Sequence, residues 1–295
     1  MKSTRPLLYI SNRITPFTRR LFQLPSAPPQ PSLSHSDLPS FLAYATRTNL
    51  PESTTFFQGT SYEYAVQSHL RSCAFALDRV GGRADLGIDL TGTWHVGPNP
   101  VTDPPVRVFV QCKALKTKLG PNYVRELEGV TAASRRRGGG LARCAGILVS
   151  PREATKGVRE ALGRSGMPLI WIMVERDGKV GQVLWNGRME EGLGLFGLGV
   201  EISYPLALGE VDEEKRGKPD FRLTWEGEQV QTMDEIEKGM VLLEEDWMGK
   251  WEERGLGGVS RDEILDAVER IVPGTRPIMI SEDDRDLVVR NLSTA

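Results

Sequence analysis

The residues with the clearest chemical potential lie at the ends of two apolar segments in the first half of the chain. Asp89 lies within one segment, and Gln111 and Lys113 close the next segment, residues 108–113. Carboxylate oxygens suit Mg²⁺ and Mn²⁺, ions that keep bound waters and leave room for a substrate phosphate. A lysine beside such an ion can orient or deprotonate a water and steady a pentavalent phosphate. The pattern therefore predicts a site that holds Mg²⁺ against a phosphodiester.

The spacing of these residues predicts how they are presented. Gln111 and Lys113 are two positions apart, so a strand points them to one face and points Cys112 into the core. A carboxylate buried without a partner is unfavourable, which favours a metal ligand at Asp89 over a strand-end salt bridge. Lysine is rarely buried, which favours a catalytic role for Lys113 over a solvated strand end.

A third candidate, Glu63, has two explanations of equal weight. It lies in a helix predicted over residues 60–72. Thr60 and Glu63 fit a capping box, which would stabilise the helix by about 1 kcal/mol. That contribution would by itself explain a glutamate at this position. Alternatively, Glu63 belongs to the metal site.

These blocks, in this order, resemble the signature of the PD-(D/E)xK nuclease superfamily, and within it the Mrr-like branch of type IV restriction endonucleases. The matching pieces are Tyr62-Glu63, GGRADLGIDL at residues 81–90 and VQCK at residues 110–113. The ordered composite is more specific than any single block, and it covers roughly residues 57–175. With its basic N-terminus and its additional C-terminal part, the whole chain resembles the fungal mitochondrial "required for respiratory growth" group that carries an Mrr-like domain.

The resemblance implies an α/β fold of the restriction-endonuclease type, a mixed sheet flanked by helices, and a DNA endonuclease that uses Mg²⁺ or Mn²⁺. The metal ligands would be Asp89, the backbone carbonyl of Cys112 and Glu63. Lys113 would handle the attacking water and Gln111 would orient it. Many superfamily members carry an acid where Gln111 stands, but the Mrr-like branch carries glutamine. The substrate would be mitochondrial DNA, with RNA as the alternative.

A different class of function stays open on the same fold. The chain could be a non-catalytic adaptor that binds nucleic acid or protein in a mitochondrial complex, because a fold does not settle a function. The complete set of Asp89, Gln111 and Lys113 favours the enzyme. The sequence lacks the G-x-x-x-x-G-K-[ST] phosphate loop, which disfavours a motor-coupled nuclease in one chain.

Charge is distributed unevenly along the 295 residues, although the formal net charge is only −2. Residues 1–35 carry +5 and no acid, residues 36–209 carry +4, and residues 210–295 carry −11. The mildly basic middle is compatible with phosphate binding. The acidic end would repel nucleic acid, so it is predicted to bind a protein partner or to shield the chain itself.

The N-terminus is acid-poor and arginine-rich, which is typical of a mitochondrial transit peptide and predicts the matrix. The sequence then divides into this leader with a linker, residues 1–35, a nuclease-like domain, residues 57–205, and a less regular acidic extension, residues 206–295. The proline-rich residues 25–39 are predicted not to pack. No apolar run approaches the length of a membrane span. Three separated cysteines without a C-x-x-C motif argue against disulfides and zinc.

Periodicity predicts the elements that position the candidate site. An alternation of strands and helices predicts a mixed sheet flanked by helices. The predicted strands cover residues 74–80, 86–94, 144–149 and 169–174, and the predicted helices cover residues 122–136, 150–166 (capped by Ser150) and 260–271.

Overall fold

A computed structural model describes residues 14–80, 87–137, 143–203 and 220–293. The chain folds into two compact units. One is built from residues 27–236, and the other combines residues up to 26 with residues from 237 onward. These limits differ from the domain boundaries suggested by the sequence, which stay a prediction.

The larger unit is organised around a six-stranded mixed sheet, as the sequence predicts. The strands lie in chain order across the sheet. They are β1 (Phe75–Arg79), β2 (Leu90–Trp94), β3 (Val106–Cys112), β4 (Cys144–Ser150), β5 (Leu169–Val174) and β6 (Val180–Trp185). β1, β2 and β3 are antiparallel neighbours, β3, β4 and β5 are parallel, and β6 returns antiparallel. The α/β class with a mixed sheet is therefore confirmed.

Helices connect and cover this sheet. The helices of the unit are α2 (Leu38–Arg47), α3 (Thr55–His69), α4 (Asn122–Arg137), α5 (Lys156–Arg164) and α6 (Gly187–Leu193). α4 and α5 are the crossovers that parallel strands require, from β3 to β4 and from β4 to β5. A second sheet contains β7 (Leu198–Ser203), β8 (Asp220–Trp225) and β9 (Glu228–Gln229).

Burial in the core of this unit explains why its central strands could be predicted from the sequence. Every residue of β4 is buried, because helices or strands cover both faces of a parallel strand in the middle of a sheet. Trp171 of β5 is fully buried against Leu148 of β4 and against Val158 and Leu162 of α5. This apolar cluster fixes α5 over the parallel half of the sheet.

Two predicted helix starts are wrong. α3 begins at Thr55, and the hydroxyl of Thr54 accepts the Phe57 N–H at 3.2 Å, so Thr60 lies inside the helix and forms no capping box with Glu63. α5 begins after Thr155, whose hydroxyl accepts the Val158 N–H at 3.2 Å. Ser150 instead ends β4, where pairing with β5 outweighs its capping preference.

The smaller unit is mainly helical. Its helices are α1 (Pro16–Leu21), most of α7 (Met233–Trp251), α8 (Arg261–Ile271) and α9 (Glu282–Ser293). The capping box predicted for α8 is confirmed, since Ser260 Oγ accepts the Glu263 N–H and Glu263 Oε2 accepts the Ser260 N–H. The expectation of a less regular extension is wrong over residues 233–293. In α7, exposed Val241 and Leu242 obscure the buried apolar stripe.

The proline-rich segment is also more ordered than predicted. His35 is buried, and its Nδ1 lies 2.8 Å from the Tyr64 hydroxyl. Asp37 and Ser40 form a capping box at the start of α2. The prediction that residues 25–39 cannot pack is therefore wrong for this part. Within the described ranges, no helix is both long enough and apolar enough to span a membrane.

Candidate active site

The candidate site lies where the start of β2 meets the end of β3. These strands are antiparallel, and Leu90 pairs with Val110, so Asp89 and Gln111 are the next residues at this end of the sheet. The Asp89 N–H donates to the Val110 carbonyl at 2.9 Å, and the Cys112 N–H donates to Asp89 Oδ2 at 2.7 Å. The carboxylate is thus fixed beside the last residue of β3.

Gln111 is the most unusual polar group of the site. Its side chain is buried, with 5 % of the residue exposed, and its Oε1 has no hydrogen-bond partner among the described residues. A buried carbonyl oxygen without a donor is destabilising and uncommon. The atom therefore suggests a donor that is supplied from outside the chain, such as a bound water.

Gly87 makes room for that amide. Its backbone has φ of +82°, a left-handed conformation that favours glycine, and an added Cβ would lie 2.9 Å from Gln111 Nε2. Residues 81–86, which include most of the glycine-rich block and Asp85, lie outside the described residues.

Lys113 follows β3 directly. Its backbone N–H donates to the Val149 carbonyl of β4 at 2.9 Å, which extends the parallel pairing by one residue. The ammonium nitrogen lies 5.8 Å from the centroid of the Tyr123 ring on α4, within the range of a cation–π contact. The half-buried lysine is therefore held by an aromatic face, and it forms no ion pair with any residue that the structure describes.

Glu63 reaches the same end of the sheet from α3. Its Oε2 accepts a 2.5 Å hydrogen bond from Arg79 Nε, and these side chains are only 15 % and 14 % exposed. Arg79 ends β1 and pairs with Leu90, one residue from Asp89. Glu63 Oε1 has no hydrogen bond within the described part of the chain, so one oxygen stays available to a cation.

Sequence reasoning missed Arg79. Its guanidinium carbon also lies 5.5 Å from the centroid of the Tyr64 ring. A usable signal was present: an arginine is the last residue but one of the predicted strand over residues 74–80, which must pair with the strand that carries Asp89. The structure thereby replaces the capping explanation of Glu63 with a tertiary ion pair.

The pKa of the Cys112 thiol is affected by burial and by the charged groups around it. Burial raises the pKa of Cys112 well above its ordinary value, and the negative charges of Asp89 and Glu63 raise it further. Lys113 and Arg79 act in the opposite direction. Two acids, Asp89 and Glu63, and two bases, Lys113 and Arg79, therefore act on the end of β3. The thiol stays protonated, so the candidate metal ligand on this residue is its backbone carbonyl.

The arrangement offers oxygen donors to a hard cation. Two carboxylates, Asp89 and Glu63, are combined with the backbone carbonyl of Cys112, a set of oxygen ligands that suits Mg²⁺ or Mn²⁺, and the buried amide oxygen of Gln111 lies beside them. No cluster of three or more His, Cys, Asp or Glu side chains that could hold a metal occurs in the described ranges. Any metal here would depend on backbone and water oxygens as well.

Comparison with known proteins identifies the family of the chain. The family described as Required for respiratory growth protein 7 matches residues 54–104 and 99–195. A mitochondrial member from Saccharomyces cerevisiae is 30% identical over 180 residues, covering 46% of this chain and 72% of the relative. The chain belongs to this family. All five predicted site residues lie within the matched ranges, and the relatives' names assign the protein to mitochondria and to respiratory growth.

Other relatives agree with this placement. An uncharacterized mitochondrial protein of Schizosaccharomyces pombe is 34% identical over 158 residues, which cover 52% of this chain and 61% of the relative. A family member from Vanderwaltozyma polyspora is 27% identical over 162 residues, 42% of this chain and 65% of its own length. The chain thus spans less than two thirds of the length of these two relatives. No solved structure matches the chain.

Proposed function

We propose that the protein is a Mg²⁺- or Mn²⁺-dependent DNA endonuclease of the PD-(D/E)xK type, with a restriction-endonuclease-like fold. It acts in the mitochondrial matrix in maintenance of the mitochondrial genome, and hence in respiratory growth. The observation that carries this proposal is the buried Gln111 Oε1, without a donor in the described chain, beside the Asp89 carboxylate.

The metal would be held by Asp89, the Cys112 carbonyl and Glu63. When bound, it would polarise the phosphodiester and lower the pKa of a coordinated water. Arg79 positions Glu63 through the Nε–Oε2 hydrogen bond and leaves Oε1 for the cation. The Cys112 N–H fixes the orientation of the Asp89 carboxylate through Oδ2.

Gln111 and Lys113 act on the water and the phosphate. Gln111 Oε1 accepts a hydrogen bond from the attacking water, which satisfies the buried oxygen and orients the water. Lys113 Nζ, as the neutral amine, takes the proton that the attacking water loses, and the ammonium so formed stabilises the additional negative charge on the phosphate. Tyr123 restrains the lysine side chain. Attack forms a new P–O bond, and the bond to the leaving oxygen of the sugar breaks.

A plasmid assay tests this function. Purified full-length protein should nick supercoiled DNA with Mg²⁺ and should not do so with excess chelator. Lys113→Ala should cut about 100-fold more slowly or worse, because a positioned proton-transfer group contributes at least that factor. Lys116→Ala, at an exposed position three residues away, is the matched control and should cut normally. Equal cutting by Lys113→Ala and Lys116→Ala would refute the role of this site.

One observation favours the adaptor as a second candidate. Glu63 is already balanced by Arg79, and Asp89 Oδ2 already accepts a backbone N–H, so both carboxylates have partners without a metal. An adaptor would bind nucleic acid equally well with and without Mg²⁺ and would not cut it. Its acidic C-terminal region would instead contact a protein partner.

A further inference from the structure

The segment around Arg19 and Arg20 is part of the core of the smaller unit. α1 is only six residues long, yet five apolar side chains in and around it are no more than 9% exposed: Ile14, Phe17, Leu21, Phe22 and Leu24. Phe17 makes an edge-to-face contact with Trp247 of α7 at 5.9 Å, and Trp247 is 1% exposed. A disposable leader does not bury a continuous apolar face in this way.

Polar contacts fix the same segment to α7 and α8. The Thr18 hydroxyl donates to Glu244 Oε2 at 2.9 Å across 226 residues of sequence. Arg20 Nη2 contacts Asp266 at 2.5 Å and Glu269 at 2.7 Å, and hydrogen bonds to Glu269 and Asp266 raise the pKa of Arg20. Arg276 Nη2 donates to the Phe22 carbonyl at 3.0 Å.

We infer that residues 14–24 belong to the mature protein, and that a removable mitochondrial leader extends no further than residue 13. This replaces the expectation of a leader and linker ending near residue 35. A cut there would remove all five apolar side chains and would leave Asp266 and Glu269 without Arg20. The positive charge of the leader is then that of Lys2, Arg5 and Arg13. Removal of these three residues changes the formal net charge of the chain from −2 to −5.

The mature N-terminus tests this inference directly. The full chain, with a C-terminal tag, is expressed in fungal cells and purified from isolated mitochondria, and its first residue is read by N-terminal sequencing and intact mass. The expected first residue is Ile14 or an earlier one. A mature chain that begins after Ile14 overturns the inference. The result is independent of nuclease activity, so the two proposals fail separately.

A pair of point variants in the same tagged chain tests whether the segment is structural. Leu21→Asp places a charge at a fully buried position, whereas Ser26→Asp adds the same charge at an exposed position just after the segment. Limited proteolysis should cleave residues 237–293 at least tenfold faster in Leu21→Asp than in Ser26→Asp. Equal cleavage rates would show that the unit does not need residues 14–24 and would overturn the inference.

Discussion

The backbone N–H of Cys112 donates a 2.7 Å hydrogen bond to the carboxylate of Asp89. This contact ties the residue before β2 to the last residue of β3, so the predicted acid and the predicted lysine segment meet at one end of the sheet. Gln111 and Lys113 flank the donor in sequence. The position of the carboxylate is therefore set by the backbone of the strand whose side chains would complete the site.

Replacing Gln111 by leucine should separate stability from function. The change removes a buried oxygen that has no donor in the described chain, so the free energy of unfolding should not fall. Cleavage should fall by about 100-fold because the water is no longer oriented. Gln182→Leu is the contrast, since Gln182 Oε1 accepts the Ala154 N–H at 3.0 Å. That variant should lose about 1 kcal/mol and cut normally. A Gln111→Leu protein that cuts like wild type would contradict the assigned role.

A methyl group at Gly87 should disturb the same amide. In Gly87→Ala, the new Cβ would lie 2.9 Å from Gln111 Nε2, and the positive φ would add strain of about 1–3 kcal/mol. We expect a loss of stability of that size in chemical denaturation and slower DNA cleavage. Gly129→Ala, on α4 with no atom beyond its own helix backbone and chain neighbours within 4 Å of the added Cβ, should be at least as stable as wild type and equally active. Indistinguishable behaviour of these variants would contradict the close approach at Gly87.

The Glu63–Arg79 pair should be far more sensitive than a surface ion pair. Arg79→Met leaves a glutamate that is 15% exposed without its cation, and the expected destabilisation is about 3 kcal/mol. Lys118→Met removes one partner of the exposed pair with Glu153 and should have an effect below about 1 kcal/mol. Adding Glu63→Gln to Arg79→Met should recover part of the loss, which a double-mutant cycle measures. Equal effects of Arg79→Met and Lys118→Met would show that the pair is not structurally important.

The free energy of unfolding of the larger unit should decrease in acid because of His95. The Pro100 carbonyl can only accept, so Nδ1 carries the hydrogen and Nε2 accepts from the Thr93 hydroxyl, 2.9 Å away. Burial lowers the pKa of His95 from 6.5 to about 4, so the folded state resists protonation more than the unfolded state does. This contribution to stability is complete above about pH 6.5 and is lost as the pH falls towards about 4.

Denaturation curves should therefore show a loss of about 2 kcal/mol attributable to His95 between about pH 7 and about pH 5. Burial also lowers the pKa of His35, so wild type is compared with His95→Gln to isolate the contribution of His95. The variant should have a shallower slope over this range. Parallel slopes in the two proteins would contradict a neutral, buried His95.

The sequence was most informative where structure is local. The apolar runs predict β4 and β5 to within a residue, and strand alternation predicts Gln111 and Lys113 at the end of β3. These features depend on neighbouring residues and on burial, both of which leave a period in the sequence.

Contacts between segments that are distant in the sequence could not be predicted in the same way. Glu63 follows Thr60 by three residues and so imitates a capping box, whereas its actual partner, Arg79, lies on a strand. An arginine-rich apolar helix at the N-terminus looks the same whether it targets mitochondria or packs in a core. Only the contacts of Phe17 and Arg20 with residues more than 200 positions away distinguish these roles.

Metal binding is the most direct test, because it does not require knowledge of the DNA substrate. Full-length protein is titrated with Mn²⁺, and free ion is measured by electron paramagnetic resonance. Wild type should bind one ion per chain at this site. Asp89→Asn, whose amide oxygen can still accept the Cys112 N–H, should keep its fold and lose that ion. Equal Mn²⁺ binding by the two proteins, or none by wild type, would contradict a metal site at the junction of β2 and β3.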